Sequence, residues 1–406
     1  MSSSSPGRAS PGLAGTKRKA EGNGVPSPGP RTSGGNLGAP RLTSKSGRYF
    51  TRGGIAVDCD VRTLPDSGAA YDALVSQLDT HRGCCFESSY EFPGRYARWT
   101  MGFVNPPLVL EATGRTFTIT ALNERGRVLV PPMHAALVAS DSLSSAEADG
   151  DAAIRGVVRP IEGTFAEEER SRQHSIFSVV RVLTELFYYN DEPQLGLYGA
   201  FGYDLTFQFE PTRLKQSRDA SQRDLVLYLP DEILLIDIHT RTSWTLTYEF
   251  SYGGKSSAGL PRTGAAVDYA PAAEADIPRR RDHAAGDFAA KVARAKEEFK
   301  VGNLFECVLS QARACTYCDL LRLTACAYCD LPRARTATYT RNIFTIAYDF
   351  TMQCLCTNAP THGSLAPTQT FFEPSPQPPS SVFRRLRTRN PSPYGFLINL
   401  GGDLGD

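Results

Sequence analysis

Three apolar segments of strand length crowd into Leu225–Phe250, separated only by Pro230-Asp231 and by His239–Arg241. Breaks this short admit tight turns and no helical crossover, so the stretch predicts two or three antiparallel strands joined by turns. Leu108–Leu122 repeats the pattern about a Gly114-Arg115 turn. Helical spacing occurs elsewhere. Ser175–Tyr188 places Ile176, Val179, Val180, Leu183 and Phe187 on one face, and Phe288, Val292, Ala295 and Phe299 recur after Asp287, read as the cap, with Gly302 placed to end the helix. Leu304–Ser310 reads as a strand and Ser381–Thr388 as a short helix. A turn at Asn390-Pro391-Ser392-Pro393 then leads into an apolar strand, Tyr394–Leu400. Residues 139–156, rich in Ser, Ala and Asp, read as a loop. Strands and helices cluster instead of alternating, which predicts an α+β fold of antiparallel sheets flanked by helices.

Composition narrows the class. An apolar fraction of 41% with 21% charged residues suits a globular core, and a net charge of +1 offers no general attraction to nucleic acid or to an acidic membrane. No run approaches the ~20 apolar residues of a membrane span. Residues 1–45 are Ser/Gly/Pro-rich and carry seven Lys or Arg against Glu21 alone. This composition is read either as a disordered tail or as a targeting segment: a transit peptide, or a nuclear signal at Lys17-Arg18-Lys19. The expected compartment is accordingly plastid or cytoplasm. Residues 252–285, with Arg279-Arg280-Arg281 read as solvated, form a linker or long surface loop. The glycines of 196–204 match neither a phosphate loop nor a dinucleotide fingerprint and read as packing residues, and Tyr96 and Trp99 read as core. Outside residues 312–369 the cysteines fit a reducing compartment.

Six segments carry a family resemblance in order: 87–99 (ESSYEFPGRYARW), 121–127 (ALNERGR), 196–204 (GLYGAFGYD), 225–235 (LVLYLPDEILL), 301–311 (VGNLFECVLSQ) and 390–396 (NPSPYGF). Together they resemble the large, chorismate-binding subunit of anthranilate synthase, most closely the form fused to its glutaminase. The implied layout is an N-terminal region over 46–285 and the start of a chorismate-binding domain over 286–311 and 370–406. The implied reaction is chorismate plus ammonia giving anthranilate and pyruvate, with Mg²⁺ as cofactor and a glutamine amidotransferase subunit or fused domain as ammonia source. The resemblance also implies a regulatory tryptophan site built from Glu87, Ser88, Asn390, Pro391, Ser392, Pro393, Tyr394 and Phe396. Its logic is physical: an ammonium needs a carboxylate or carbonyls, a carboxylate needs donors, and an indole needs an apolar wall. Two positions depart from relatives: Glu87 stands where the fused form tends to carry Ser, and Gly395 where the single-chain form is bulkier.

The family's catalytic and metal-binding motifs, an Ala-Ser-Pro-Glu-type segment, a Lys-Gly-Thr loop and glycine-rich segments with glutamates, do not occur in this sequence. No catalytic residue or metal ligand is assigned, and the chain is expected to be inactive alone and truncated relative to the family. Residues 312–369 interrupt the family's Leu-Ser-Gln to Thr-Phe-Tyr-Glu-Pro junction and hold two near copies, Ala314–Leu320 and Ala325–Leu331. Their Cys315, Cys318, Cys326 and Cys329 raise a Cys₄ zinc site, but the gap between pairs is shorter than the roughly 15–20 residues usual for zinc ribbons. Translated non-coding sequence is the favoured reading. Two alternatives to the main reading are aminodeoxychorismate synthase and a non-catalytic module binding tryptophan or a partner.

Overall fold

The computed structural model describes residues 44–89, 99–161, 163, 165–170, 172–209, 222–266, 284–304, 306–307, 309–313, 364–365, 368–371, 378–389, 391–392 and 394–401. The expectations for residues 1–43, Tyr96, the arginine run at 279–281, the four cysteines of the candidate zinc site, Asn390 and Pro393 lie outside them.

Along the chain run β1 (Gly47–Phe50), β2 (Ala56–Leu64), α1 (Ser67–Gln77), β3 (Gly83–Glu87), β4 (Trp99–Val104), β5 (Leu108–Thr113), β6 (Thr116–Ala121), α2 (Glu124–Arg127), α3 (Val130–Val138), β7 (Leu143–Asp149) and β8 (Ala153–Val158). Next come α4 (Glu167–Arg170), α5 (Ile176–Phe187), β9 (Tyr198–Phe201), a 3₁₀ segment (Tyr203–Gln208), β10 (Leu225–Leu229), β11 (Glu232–Asp237), β12 (Thr242–Tyr252) and β13 (Lys255–Ser256). The described elements close with α6 (Asp287–Lys300), β14 (Glu306–Cys307), β15 (Ser310–Arg313), β16 (Ser364–Leu365), β17 (Thr368–Phe371), α7 (Pro379–Arg389) and β18 (Gly395–Asn399).

Two antiparallel sheets organise these elements, in the orders β1-β2-β12-β11-β4-β3-β18 and β7-β8-β6-β5-β10-β9, with β13 hydrogen-bonded to β12. One face of the first sheet packs on α1 and α7, where Tyr71, Leu74, Val75, Leu78 and Phe383 meet Cys85, Leu234, Ile236 and Leu397. Its other face meets the second sheet through Cys84, Phe103 and Ile398 against Val109, Val226 and Tyr228. In the second sheet Leu227, Leu110, Ile119 and Ile154 stand directly opposite one another, so that they form one apolar row across four strands. A strand buried along its whole length needs no polar alternation, which is why β10 reads Leu-Val-Leu-Tyr-Leu. The α+β class with antiparallel sheets is therefore the architecture found. No helix among the described residues is long and apolar enough to cross a membrane.

Local details correct several expectations. Residues 143–158 form the β7–β8 hairpin, turning at Gly150 (φ 56°), where a loop was expected. β7 lies at the sheet edge with most of its residues exposed or half-buried, so it carries little apolar signal. β10 and β11 are not a hairpin: β10 pairs with β5 and β9, whereas β11 pairs with β12 and β4. Pro230-Asp231 carries the chain from one sheet to the other. The turn between β11 and β12 holds as expected, with Arg241 in the left-handed region (φ 54°). Helix α6 is capped by Gly286, with Asp287 as its first helical residue; the Asp287 carboxylate accepts from the Ala284 amide at 3.2 Å. Leu304–Ser310 is not one strand: β14 and β15 form separate short pairs, parallel to β16 and β17 respectively, with Gln311 beside Gln369.

The crossing between sheets is fixed by a buried charge. Asn123 caps α2 by accepting from the Arg125 and Gly126 amides, and Arg125 projects inward with 1% exposure. Its guanidinium pairs with buried Asp231 and with Glu249, and donates to the carbonyls of Tyr248, Ser257 and Leu260. Burial pushes the Asp231 carboxyl up; Arg125 and Arg262 oppose the shift. Two of the segments that carry the family resemblance, 121–127 and 225–235, thus meet in one ion pair.

Candidate functional site

Strand β3 lies between β4 and β18, and its last residue brings a carboxylate to the end of the sheet. Helix α7 runs up to residue 389 and the chain re-enters the sheet as β18 at Gly395, directly opposite Glu87. Two serines clip the junction. The Ser89 amide donates to the Ser392 carbonyl at 2.9 Å, and the Ser392 amide donates to Ser89 Oγ at 3.1 Å. The Ser392 hydroxyl in turn accepts from the Tyr394 amide at 3.2 Å. A side chain at position 395 would set its Cβ 3.3 Å from the Glu87 carbonyl oxygen, so glycine leaves the strands close together there.

Strand alternation sends the Glu87 side chain to the helical face, the face of Cys85 and Leu397. It is only 4% exposed. The Tyr71 hydroxyl of α1 donates to Oε2 at 2.6 Å, and the Arg387 guanidinium of α7 pairs with Oε1 while lying 4.7 Å above the Tyr71 ring. Burial drives the Glu87 carboxyl above the usual carboxylate range, and the Tyr71 hydrogen bond and the Arg387 charge work against that rise. The arrangement holds a desolvated anion between a phenol and a cation, which is chemistry for gripping a positively charged group.

The other expected site residues divide by position. Ser88 is buried beside Glu87, and its hydroxyl has no hydrogen-bond partner among the described residues. Pro391 and Ser392 lie in the clipped junction. Tyr394 is 73% exposed. Phe396 pairs across to Phe86 and packs on the opposite face of the sheet, with Cys84, Phe103 and Tyr228, away from the Glu87 carboxylate. Tyr71 and Arg387 were not anticipated. The signal for them was Glu87 itself: a carboxylate ending the apolar strand Gly83–Phe86 requires donors, and Arg387 stands three residues before Asn390.

A second buried carboxylate is saturated by neutral donors. Glu192 accepts from Ser44 Oγ at 2.7 Å, the Tyr248 hydroxyl at 3.2 Å, the Gln194 amide at 3.1 Å and the Cys59 thiol at 3.7 Å. Burial and the Glu192 charge push the Cys59 thiol up to about 12, which removes it as a nucleophile. Among the described residues no group of three or more His, Cys, Asp or Glu side chains is placed to hold a metal.

No family model matches the chain. Among characterised proteins it is 37% identical over 354 residues to an anthranilate synthase of Azospirillum brasilense, a match that takes in 87% of this chain and 40% of that protein. It is 23% identical over 182 residues to anthranilate synthase component 1 of Haemophilus influenzae, covering 44% of this chain and 34% of that protein. The chain spans well under half the length of either relative.

Proposed function

We propose that this chain, which resembles the large subunit of anthranilate synthase, serves tryptophan synthesis, and that its described residues hold the tryptophan-sensing part of that machinery. The reaction is chorismate plus ammonia giving anthranilate, pyruvate and water, with the ammonia drawn from glutamine by an amidotransferase. Amination precedes loss of pyruvate. The observation that carries the reading is the extended match to an anthranilate synthase over 87% of the chain. The β3–β18 junction supports it: in this reading Glu87 is the anion for the amino acid's ammonium, and Ser88 and Ser392 are polar groups for the rest of its backbone.

The sequence carries neither the Ala-Ser-Pro-Glu-type segment nor the Lys-Gly-Thr loop, so catalysis is assigned to none of its residues. A chimera tests the chemistry: this chain continued by the part of the Azospirillum brasilense protein that follows the matched stretch. Supplied with chorismate, ammonium and magnesium, the chimera is expected to release fluorescent anthranilate and the chain alone to release none. A folded chimera without anthranilate contradicts the assignment, and anthranilate from the chain alone contradicts the inactivity.

A further inference from the structure

The Glu87–Arg387 pair is asymmetric in a way that matters for any ligand. The anion is locked in: Glu87 is almost wholly buried and further held by the Tyr71 hydroxyl. The cation is not. The Arg387 side chain keeps 42% of its surface in solvent while resting on the Tyr71 ring, so its own charge stays hydrated if it turns outward, but the Glu87 carboxylate then needs another cation. A cation arriving from solution therefore finds Glu87 already neutralised, by a half-exposed partner whose place on the carboxylate a second cation can take.

Resting on the tryptophan reading above, we propose that Arg387 is a competitive latch on Glu87, displaced by the α-ammonium of the incoming amino acid. The exchange replaces one cation by another on the same carboxylate, so the buried charge is never left uncompensated. The latch lowers the affinity of the site by the fraction of time Arg387 occupies Glu87, in the manner of any protein whose competent state is partly populated. It also makes the ammonium, and not the indole, the group that opens the site. Arg387 is thus a positioning residue, touching the binding group and not the ligand's ring.

Three ligands and two variants test the latch by calorimetric titration: tryptophan, tryptamine (an ammonium without the carboxylate) and indole-3-propionate (no ammonium). In Arg387→Gln, tryptophan and tryptamine are expected to bind about tenfold more tightly than in the wild type, which is about 1.4 kcal/mol. Indole-3-propionate is expected to gain nothing, and Arg387→Lys, which keeps the charge, to stay near the wild type. A gain shared by indole-3-propionate, or unchanged or weaker tryptophan binding in Arg387→Gln, overturns the latch while leaving the site intact. If no protein binds tryptophan, the reading of the site falls and the latch with it. One measurement needs no variant: in ¹⁵N-arginine-labelled wild-type protein, the Arg387 Nε–H resonance is expected to lose its protection from exchange as tryptophan is added. Protection that persists at saturation also overturns the latch.

Discussion

Arg125 and Glu87 show how single residues set this molecule. Each is charged and nearly fully buried, and each has a partner supplied by a segment distant in sequence. Removing one member of a buried pair leaves the other charge uncompensated, typically at a cost of ~3–5 kcal/mol, whereas replacing both by apolar groups is often close to neutral. Arg125→Leu is therefore expected to destabilise the chain by about that amount in urea titrations, and the Arg125→Leu/Asp231→Leu double variant to recover only the share due to Asp231, since Glu249 and three carbonyls still lack the guanidinium. Equal destabilisation of single and double variants would show that the ion pair does not fix the crossing. Glu87 was identifiable from the sequence because its segment matches a family pattern. Its partners were not: Tyr71 and Arg387 come from two helices whose docking on β3 depends on the whole sheet.

Elements were legible where burial wrote a clean period. The β5–β6 hairpin, α5 and β18 follow the apolar spacing, because each buries one face or both against a packed neighbour. The β7–β8 hairpin leaves little trace in the sequence because an exposed edge strand needs few apolar residues. The β10–β11 connection has the sequence of a hairpin, because two strands separated by a two-residue break look alike whether they pair or part company. Glycine at position 199 reports on close strand packing instead of on a turn. A Cβ there would collide with the Val226 backbone of β10, so glycine is what lets β9 pair at that distance. Gly199→Ala is expected to destabilise by ~1–3 kcal/mol, the usual cost of overpacking. Amide exchange should rise first in Tyr198–Phe201; faster exchange spread evenly over the sheet, or none, would contradict that local role.

At the scale of the molecule, the last described strand closes on one of the first. β18 joins β3 at the sheet edge, and Tyr228 of the second sheet donates to the Asn399 carbonyl at 3.0 Å. Arg223, paired with Glu111, reaches the Leu400 carbonyl at 3.1 Å. These contacts set the end of α7 and the Ser392 junction beside Glu87, and so convert two distant sequence motifs into one place. The face each residue takes is decided by register, which the resemblance does not give: Phe396 lies on the opposite side of the sheet from the Glu87 carboxylate. The most direct test of the assembled site is calorimetric titration of tryptophan into the wild-type chain and into Glu87→Gln, both verified as folded. Saturable one-site binding to the wild type that is lost in Glu87→Gln is the expected result; no binding to the wild type, or equal binding to both, would contradict it.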